Sequence, residues 1–146
     1  MILFLDPSRL WFLSTRLHRR GYHRAARLIK AYNFAVFHAV LPPEAVLAKP
    51  VRLGHFGLGV VVHPNVSIGR NVTIWHSVTL SVSDSLSSRS RILIGDNVML
   101  GAGSAVVSRE RSSLTICSDV AIGANAVVSR NIDSPGSYAG IPAARL

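Results

Sequence analysis

The stretch Ile94-Gly95-Asp96-Asn97-Val98-Met99-Leu100-Gly101-Ala102-Gly103-Ser104-Ala105-Val106 places an aliphatic residue at every sixth position, and glycine directly follows the first two. A helix cannot hold such a set on one face, because six steps of about 100° leave the side chain far from its starting direction. Short strands joined by tight turns can, with each aliphatic pointing inward at a corner. The register runs outward in both directions, through Leu47, Leu53, Val62, Ile68, Ile74 and Leu80 on one side and Ile116, Ile122 and Val128 on the other. Four places after each aliphatic a second small or β-branched residue recurs: Val51, Gly57, Val66, Val72, Val78, Val98, Ser104, Val120 and Ala126. Asn65, Asn71, Asn97 and Asn125 fall near the turns, where asparagine tolerates the left-handed region. The pattern predicts a mostly β parallel solenoid over residues 44–146.

The period breaks three times. Leu53 to Val62 is nine, Leu80 to Ile94 is fourteen and Val106 to Ile116 is ten. A solenoid absorbs such excess as loops pushed outward from a coil, and loops on a rigid scaffold are where sites usually lie. The first break contains His55, in Leu53-Gly54-His55-Phe56-Gly57-Leu58-Gly59. The second, residues 81–91, is polar and expected to be mobile.

Residues 1–43 have another period. Leu10, Leu13, Leu17, Ala25, Leu28, Ile29, Tyr32 and Val36 recur at helical spacings between arginines. Ser8 and Asp6 compete as N-cap, Gly21 is placed to split the run in two, and Leu41-Pro42-Pro43 is expected to stop it. Trp11, Phe12, Phe34 and Phe37 are expected to pack on the first coil and cap its open edge.

Charge separates the two halves as well. Of a formal net charge of +9, the first 43 residues carry +6. Such a basic arm suits an anionic partner: a lipid surface, nucleic acid or the phosphates of a cofactor. With no recognition helix or stacking-aromatic motif beside it, charge alone does not argue for nucleic acid. Apolar residues make up 49% of the 146, too many for a disordered chain. A lone cysteine, Cys117, excludes a disulfide framework, and its place after Ile116 reads as a small filler in a glycine slot. Six histidines show no short ligand spacing backed by carboxylates, so a metal is not expected. The short apolar start, cut off by Asp6-Pro7, reads neither as a secretory signal nor as a membrane span. The expectation is a cytoplasmic protein, with peripheral membrane contact through the arm as a second reading.

Gly54-His55-Phe56-Gly57-Leu58-Gly59-Val60-Val61-Val62-His63-Pro64, Ser77-Val78-Thr79-Leu80, Ile94-Gly95-Asp96-Asn97-Val98, Ile122-Gly123-Ala124-Asn125-Ala126 and Ala139-Gly140-Ile141-Pro142-Ala143-Ala144-Arg145 together resemble the serine acetyltransferase-like hexapeptide-repeat acyltransferases. The likeness covers residues 40–146. It implies a left-handed parallel β-helix with a short helical arm, assembled as a homotrimer. It also implies acetyl-CoA in the groove between neighbouring prisms, and transfer of an acetyl group to an acceptor hydroxyl. An alcohol is a poor nucleophile at neutral pH, so the chemistry needs a base, and histidine suits that task.

The resemblance puts the base at His55, one residue farther from the Gly-Val-Val run than in serine acetyltransferases. His76, at an outward repeat position, is placed to line the same cleft, whereas His63 before Pro64 reads as structural, and His18, His23 and His38 as solvated or packing residues of the arm. Ala102 and Ala124 match the small residues that meet the pantetheine arm, with Gly103 and Ser104 beside them. Arg130 and Arg145 fall near the expected phosphates.

Two features depart from the family. No aspartate stands near Val40 to orient the base, which leaves Glu44 or a backbone carbonyl. No histidine lies in residues 81–91 to hold the acceptor's carboxylate, which leaves Arg89 or Arg91. The acceptor is therefore either L-serine or a sugar hydroxyl of polysaccharide assembly. The alternative of another class is a non-catalytic trimer serving as scaffold or binding module.

Overall fold

The computed structural model describes residues 6–83 and 89–146, so the short apolar start lies outside the described residues. Two helices, α1 (Pro7–Arg19) and α2 (His23–Phe37), precede a solenoid of short strands: β1 (Val46–Leu47), β2 (Arg52–Leu53), β3 (Val61–Val62), β4 (Val66–Ile68), β5 (Thr73–Ile74), β6 (Thr79–Val82), β7 (Ile92–Ile94), β8 (Met99–Leu100), β9 (Ala105–Ser108), β10 (Leu114–Ile116), β11 (Val120–Ile122), β12 (Val127–Val128), β13 (Gly136–Ala139) and β14 (Ala144–Arg145). Up to β12 every third strand stacks on its predecessor, and β13 then stacks on β11, giving three parallel faces: β1-β4-β7-β10, β2-β5-β8-β11-β13 and β3-β6-β9-β12. Among the described residues only β14 runs antiparallel, folding back on β13 to close the last coil.

Eleven of the twelve six-spaced aliphatics are buried, and all nine of the second set are too. Leu53 is half-buried because the chain leaves the coil there. The three breaks emerge between β2 and β3, between β6 and β7 and between β9 and β10. Within the second, residues 84–88 lie outside those described, and the expected mobility of 81–91 rests in part on them; Ser81 and Val82 are β6, and Arg89 and Arg91, the expected anion clamp, are exposed.

The glycines behind the aliphatics serve close approach, not unusual torsions. A Cβ on Gly101 would stand 2.6 Å from the Ala124 nitrogen of the next coil, and one on Gly95 2.6 Å from that of Ser118. The left-handed turns fall instead to Asn71, Asn97 and Asn125, joined by Ser77 and Asp119. Asn65 is not among them; its N–H is held by His63 Nδ1 at 3.0 Å. An amide ladder runs along one corner, from Asn71 Nδ2 to Asn97 Oδ1 and from Asn97 Nδ2 to Asp119 Oδ1, each at 2.9 Å.

The arm resolves one expectation that was open and departs from two others. Asp6, not Ser8, caps α1, its carboxylate accepting from the Ser8 N–H at 2.9 Å. The second helix ends at Phe37, before the prolines, with His38 left-handed. The reason is sheet pairing: Val40 bridges Val61, its N–H donating to Val60 O and its carbonyl accepting from Val62 N–H, so the first coil begins at Val40. The buried face is also not the leucine stripe. Trp11, Ser14, Thr15, Ala26, Asn33 and Phe37 turn inward, whereas Leu13, Leu28, Tyr32 and Val36 are exposed. Small residues let α1 and α2 approach closely, and the Ser14 and Thr15 hydroxyls donate to the carbonyls of Trp11 and Phe12. Capping holds for Trp11, Phe12 and Phe37, which join the core, but not for Phe34, which is exposed.

Candidate functional site

The strands β2, β5, β8, β11 and β13 all end at one corner of the prism, and the residues after each strand form a column. From top to bottom the column holds Gly54–Gly59, Trp75-His76-Ser77, Gly101-Ala102-Gly103, Gly123-Ala124-Asn125 and Gly140. Backbone bonds lock successive coils: Ser77 N–H to Leu58 O, Gly103 N–H to His76 O, Asn125 N–H to Ala102 O and Val127 N–H to Gly140 O. The first sequence break thus stands directly above the residues expected to meet a cofactor.

His55 lies within a short 3-10 turn, Gly54–Gly57, in which His55 (φ 50°) and Phe56 (φ 56°) are both left-handed. Two consecutive bulky residues in that region are costly and persist only where surroundings over-determine them. Here the surroundings do so. Leu58 N–H donates to His55 O, and Gly59 N–H to His38 O. Gly54 lies flat beneath the Trp75 ring, and a Cβ there would fall on the indole. The His55 imidazole meets Trp75 edge-on with centroids 5.6 Å apart, and Phe56 stacks on Phe37 at 6.1 Å.

The Nδ1 atoms of His55 and His76 are 3.0 Å apart. Only one of two facing nitrogens in such a bond carries the proton, so each ring's tautomer dictates the other's. Neither ring is bonded to a carboxylate among the described residues, and Glu44 is exposed. The exposed His55 also lines an apolar groove of about 370 Å³, with Val36, Phe37, His38, Phe56 and Leu58. Phe37 and His38 went unrecognised as groove lining in the sequence because they come from the end of the arm, which meets the loop only in three dimensions.

The other expected residues divide. Ala102 and Gly103 are half-exposed and Ala124 exposed on the column below His76. Ser104 is fully buried, and its backbone groups are spent on Gly101 O and Thr79 N–H, so it backs the wall from inside. Arg130 sits not on the column but one corner on, where it shares a concavity of about 340 Å³ with Arg109, Ser112, Ser113, Ser129 and Asn131. Arg109 carries no repeat signal, which is why the sequence hid it. Arg145 is exposed on β14, its guanidinium against Gly136. Burial lowers the pKa of His63, whose Nδ1 accepts the Asn65 N–H; the neutral ring closes a turn, as its place before Pro64 implies. Cys117 is a half-buried free thiol. Among the described residues no cluster of three metal-ligating side chains exists, and no helix is long and apolar enough to cross a membrane.

No protein-family model matches the chain. It is similar to a serine acetyltransferase of Staphylococcus epidermidis, 33% identical over 130 residues that make up 89% of this chain and 59% of that one. Its fold is similar to serine acetyltransferase from Brucella abortus crystallised in complex with coenzyme A, at a TM-score of 0.82 and 25% identity, covering 93% of this chain and 52% of the other. Serine acetyltransferase of Neisseria gonorrhoeae in complex with serine aligns at a TM-score of 0.80 and 29% identity, over 94% and 54%. The chain therefore spans little more than half the length of these relatives. The solenoid with its two leading helices matches their left-handed β-helix.

Proposed function

We propose that this chain, a relative of the serine acetyltransferases in sequence and fold, is an acetyl-CoA-dependent O-acetyltransferase with His55 as general base. One observation carries the reading: an exposed imidazole, fixed in a strained turn, faces an apolar groove at the head of a column of small residues. The acceptor hydroxyl gives its proton to His55 Nε2 as its oxygen attacks the thioester carbon. The tetrahedral intermediate then collapses, the carbon–sulfur bond breaks, and the same proton passes to the leaving sulfur. An acetyl ester and free CoA thiol result.

Ala102, Gly103 and Ala124 would receive the pantetheine arm along the column, with Ser104 behind them. Arg130, with Arg109 beside it, and Arg145 would meet the phosphates. The cleft needs a second wall, and we read the assembly as a homotrimer that supplies it. Exposed apolar side chains around the corner support this reading, among them Phe56 at 63% exposure, Leu58 at 53%, Val61 and Met99. A lone free thiol suits a reducing, cytoplasmic setting. The exposed Leu28 and Tyr32 among basic residues of α2 suit contact with an anionic membrane surface.

The acceptor is L-serine or a sugar hydroxyl; the relatives favour the first, and the lack of a histidine at 81–91 favours the second. Thiol release from acetyl-CoA, followed across L-serine and a panel of sugars for wild type and His55→Ala, tests the reading. Removal of the base should cost about 10²–10⁴-fold. A folded protein that binds no CoA in calorimetry would refute the enzyme in favour of a scaffold. A monomeric mass in light scattering would refute the shared cleft.

A further inference from the structure

We propose that His76 is the positioning residue of the site: it accepts the Nδ1–H of His55 and thereby leaves His55 Nε2 bare toward the groove. The inference rests on the reading of His55 as base and says what holds that base. The two Nδ1 atoms are 3.0 Å apart, and the ring centroids 4.8 Å. With one proton between them, a neutral pair has two arrangements. In one, His55 donates and its Nε2 can take a proton. In the other, His76 donates, His55 is protonated at Nε2, and its accepting Nδ1 is turned to a neighbour instead of a substrate. Only the first allows His55 to act as a base.

The surroundings single out His76 as the fixed partner. Its backbone is part of the regular coil, where its carbonyl accepts from Gly103 N–H at 3.0 Å and its neighbours Trp75 and Ser77 donate to Leu100 O and Leu58 O. His55, by contrast, sits on the extruded turn and alone of the two lines the groove. Trp75 closes the remaining side of the His55 ring. No carboxylate among the described residues bonds to either imidazole, so the task of holding the base falls to a neutral acceptor. When His55 takes the hydroxyl proton, its Nδ1–H donates to His76 Nδ1 as a charge-assisted bond, stronger than the same bond in the resting pair. No atom is left over: the proton gained at Nε2 is the one returned to sulfur.

Substitution by geometry tests this. The Oδ1 atom of asparagine or aspartate lies two bonds beyond Cβ, as does histidine Nδ1, whereas glutamine oxygen lies three bonds beyond. His76→Asn and His76→Asp should therefore keep the Nδ1–H form of His55, and His76→Ala and His76→Gln should lose it. Nitrogen-15 NMR of histidine-labelled protein reads the tautomer directly, without turnover. Wild type, Asn and Asp variants should show His55 protonated at Nδ1; Ala and Gln variants should shift it to the Nε2–H form. Thiol release should fall roughly 10²-fold in kcat for His76→Ala, with KM for acetyl-CoA unchanged, and recover in His76→Asn. A His55 that is Nε2-protonated in wild type overturns the proposal, as does a His76→Gln variant with wild-type tautomer and rate. Thiol release that survives His55→Ala while the tautomer pattern holds overturns the base assignment and leaves the pairing standing.

Discussion

The indole Nε1–H of Trp11 donates to the carbonyl of Pro42 at 2.8 Å, with both residues buried. This bond ties α1 to the opening segment of the first coil, and Trp11 is wholly buried and belongs with Phe37 and Leu41 to the core cluster. The arm is therefore part of the solenoid's hydrophobic core and not an appendage to it. Trp11→Phe keeps most of the ring but leaves the Pro42 carbonyl only the longer 3.4 Å bond from the Ala45 N–H, which should cost about 0.5–1.5 kcal/mol. Trp11→Ala adds a cavity and should cost about 3–5 kcal/mol. Thermal unfolding should rank wild type, Phe and Ala in falling order; equal midpoints for wild type and Phe would show that the carbonyl does not depend on the indole.

Gly54 tests how far the base depends on the wall beneath it. A Cβ on this residue would lie 3.0 Å from both Cδ2 and Cζ3 of Trp75 and closer still to Cε3. Trp75 cannot retreat freely, because its backbone is fixed in the coil by the bond to Leu100 O. The turn that carries His55 must move instead. Gly54→Ala should leave a folded protein, destabilised by about 1–3 kcal/mol. A shift of about 1 Å in the base should lower thiol release about 10²-fold. An unchanged rate would show that the His55 turn adjusts without loss.

Most of the solenoid was legible because its signal is local and repeated. Ile74, Leu100 and Ile122 recur down one face of the core, and each is read from its neighbours in sequence without any knowledge of the fold. The three loops were legible for the same reason, as departures from a fixed count. The arm was not. Its leucine stripe has good helical spacing, yet Leu28 and Tyr32 face outward, because the packing surface was chosen by small residues such as Ala26 and Ser14 that carry little hydrophobic signal. The helix stop was misjudged by four residues because Val40 pairs with Val61, a contact between segments that sequence patterning does not connect. At the site, His55 and His76 were each recognisable, but their 3.0 Å contact joins two different coils.

Arg130 bears on where the phosphates of a cofactor would lie. It is exposed at a corner next to the column and shares its concavity with Arg109. If a phosphate sits there, Arg130→Ala should raise the KM for acetyl-CoA about tenfold, the ~1.4 kcal/mol scale of one charge-assisted hydrogen bond, with kcat unchanged. Arg109→Ala should act in the same direction, and added salt should shrink both effects. Steady-state kinetics at two ionic strengths would decide. A KM that neither substitution moves would place the phosphates elsewhere, with Arg145 the next residue to replace.

Asp96 couples two coils through charge, and its titration predicts one feature of the acid limb. Its Oδ1 accepts the Arg70 N–H at 2.7 Å, and its Oδ2 accepts from Arg70 Nη2 at 3.1 Å and Nε at 3.3 Å. The backbone bond from Arg70, then the guanidinium bonds, hold the carboxyl below its ordinary value of 3.8. A carboxylate with a lowered folded pKa binds fewer protons folded than unfolded, so it stabilises the fold above the unfolded value and loses that contribution as pH falls through the folded one. The stabilisation is therefore whole at neutral pH and drains away below about pH 4. Asp96→Asn keeps an oxygen for the Arg70 N–H but loses the charge. Denaturant unfolding across pH should find wild type more stable than Asp96→Asn at pH 7, with the gap closing as the solution is acidified below 3.8. Because the pair is exposed, the gap at neutral pH is small and should narrow with salt. A gap that stays constant through the acid range would trace it to packing, not to the charge.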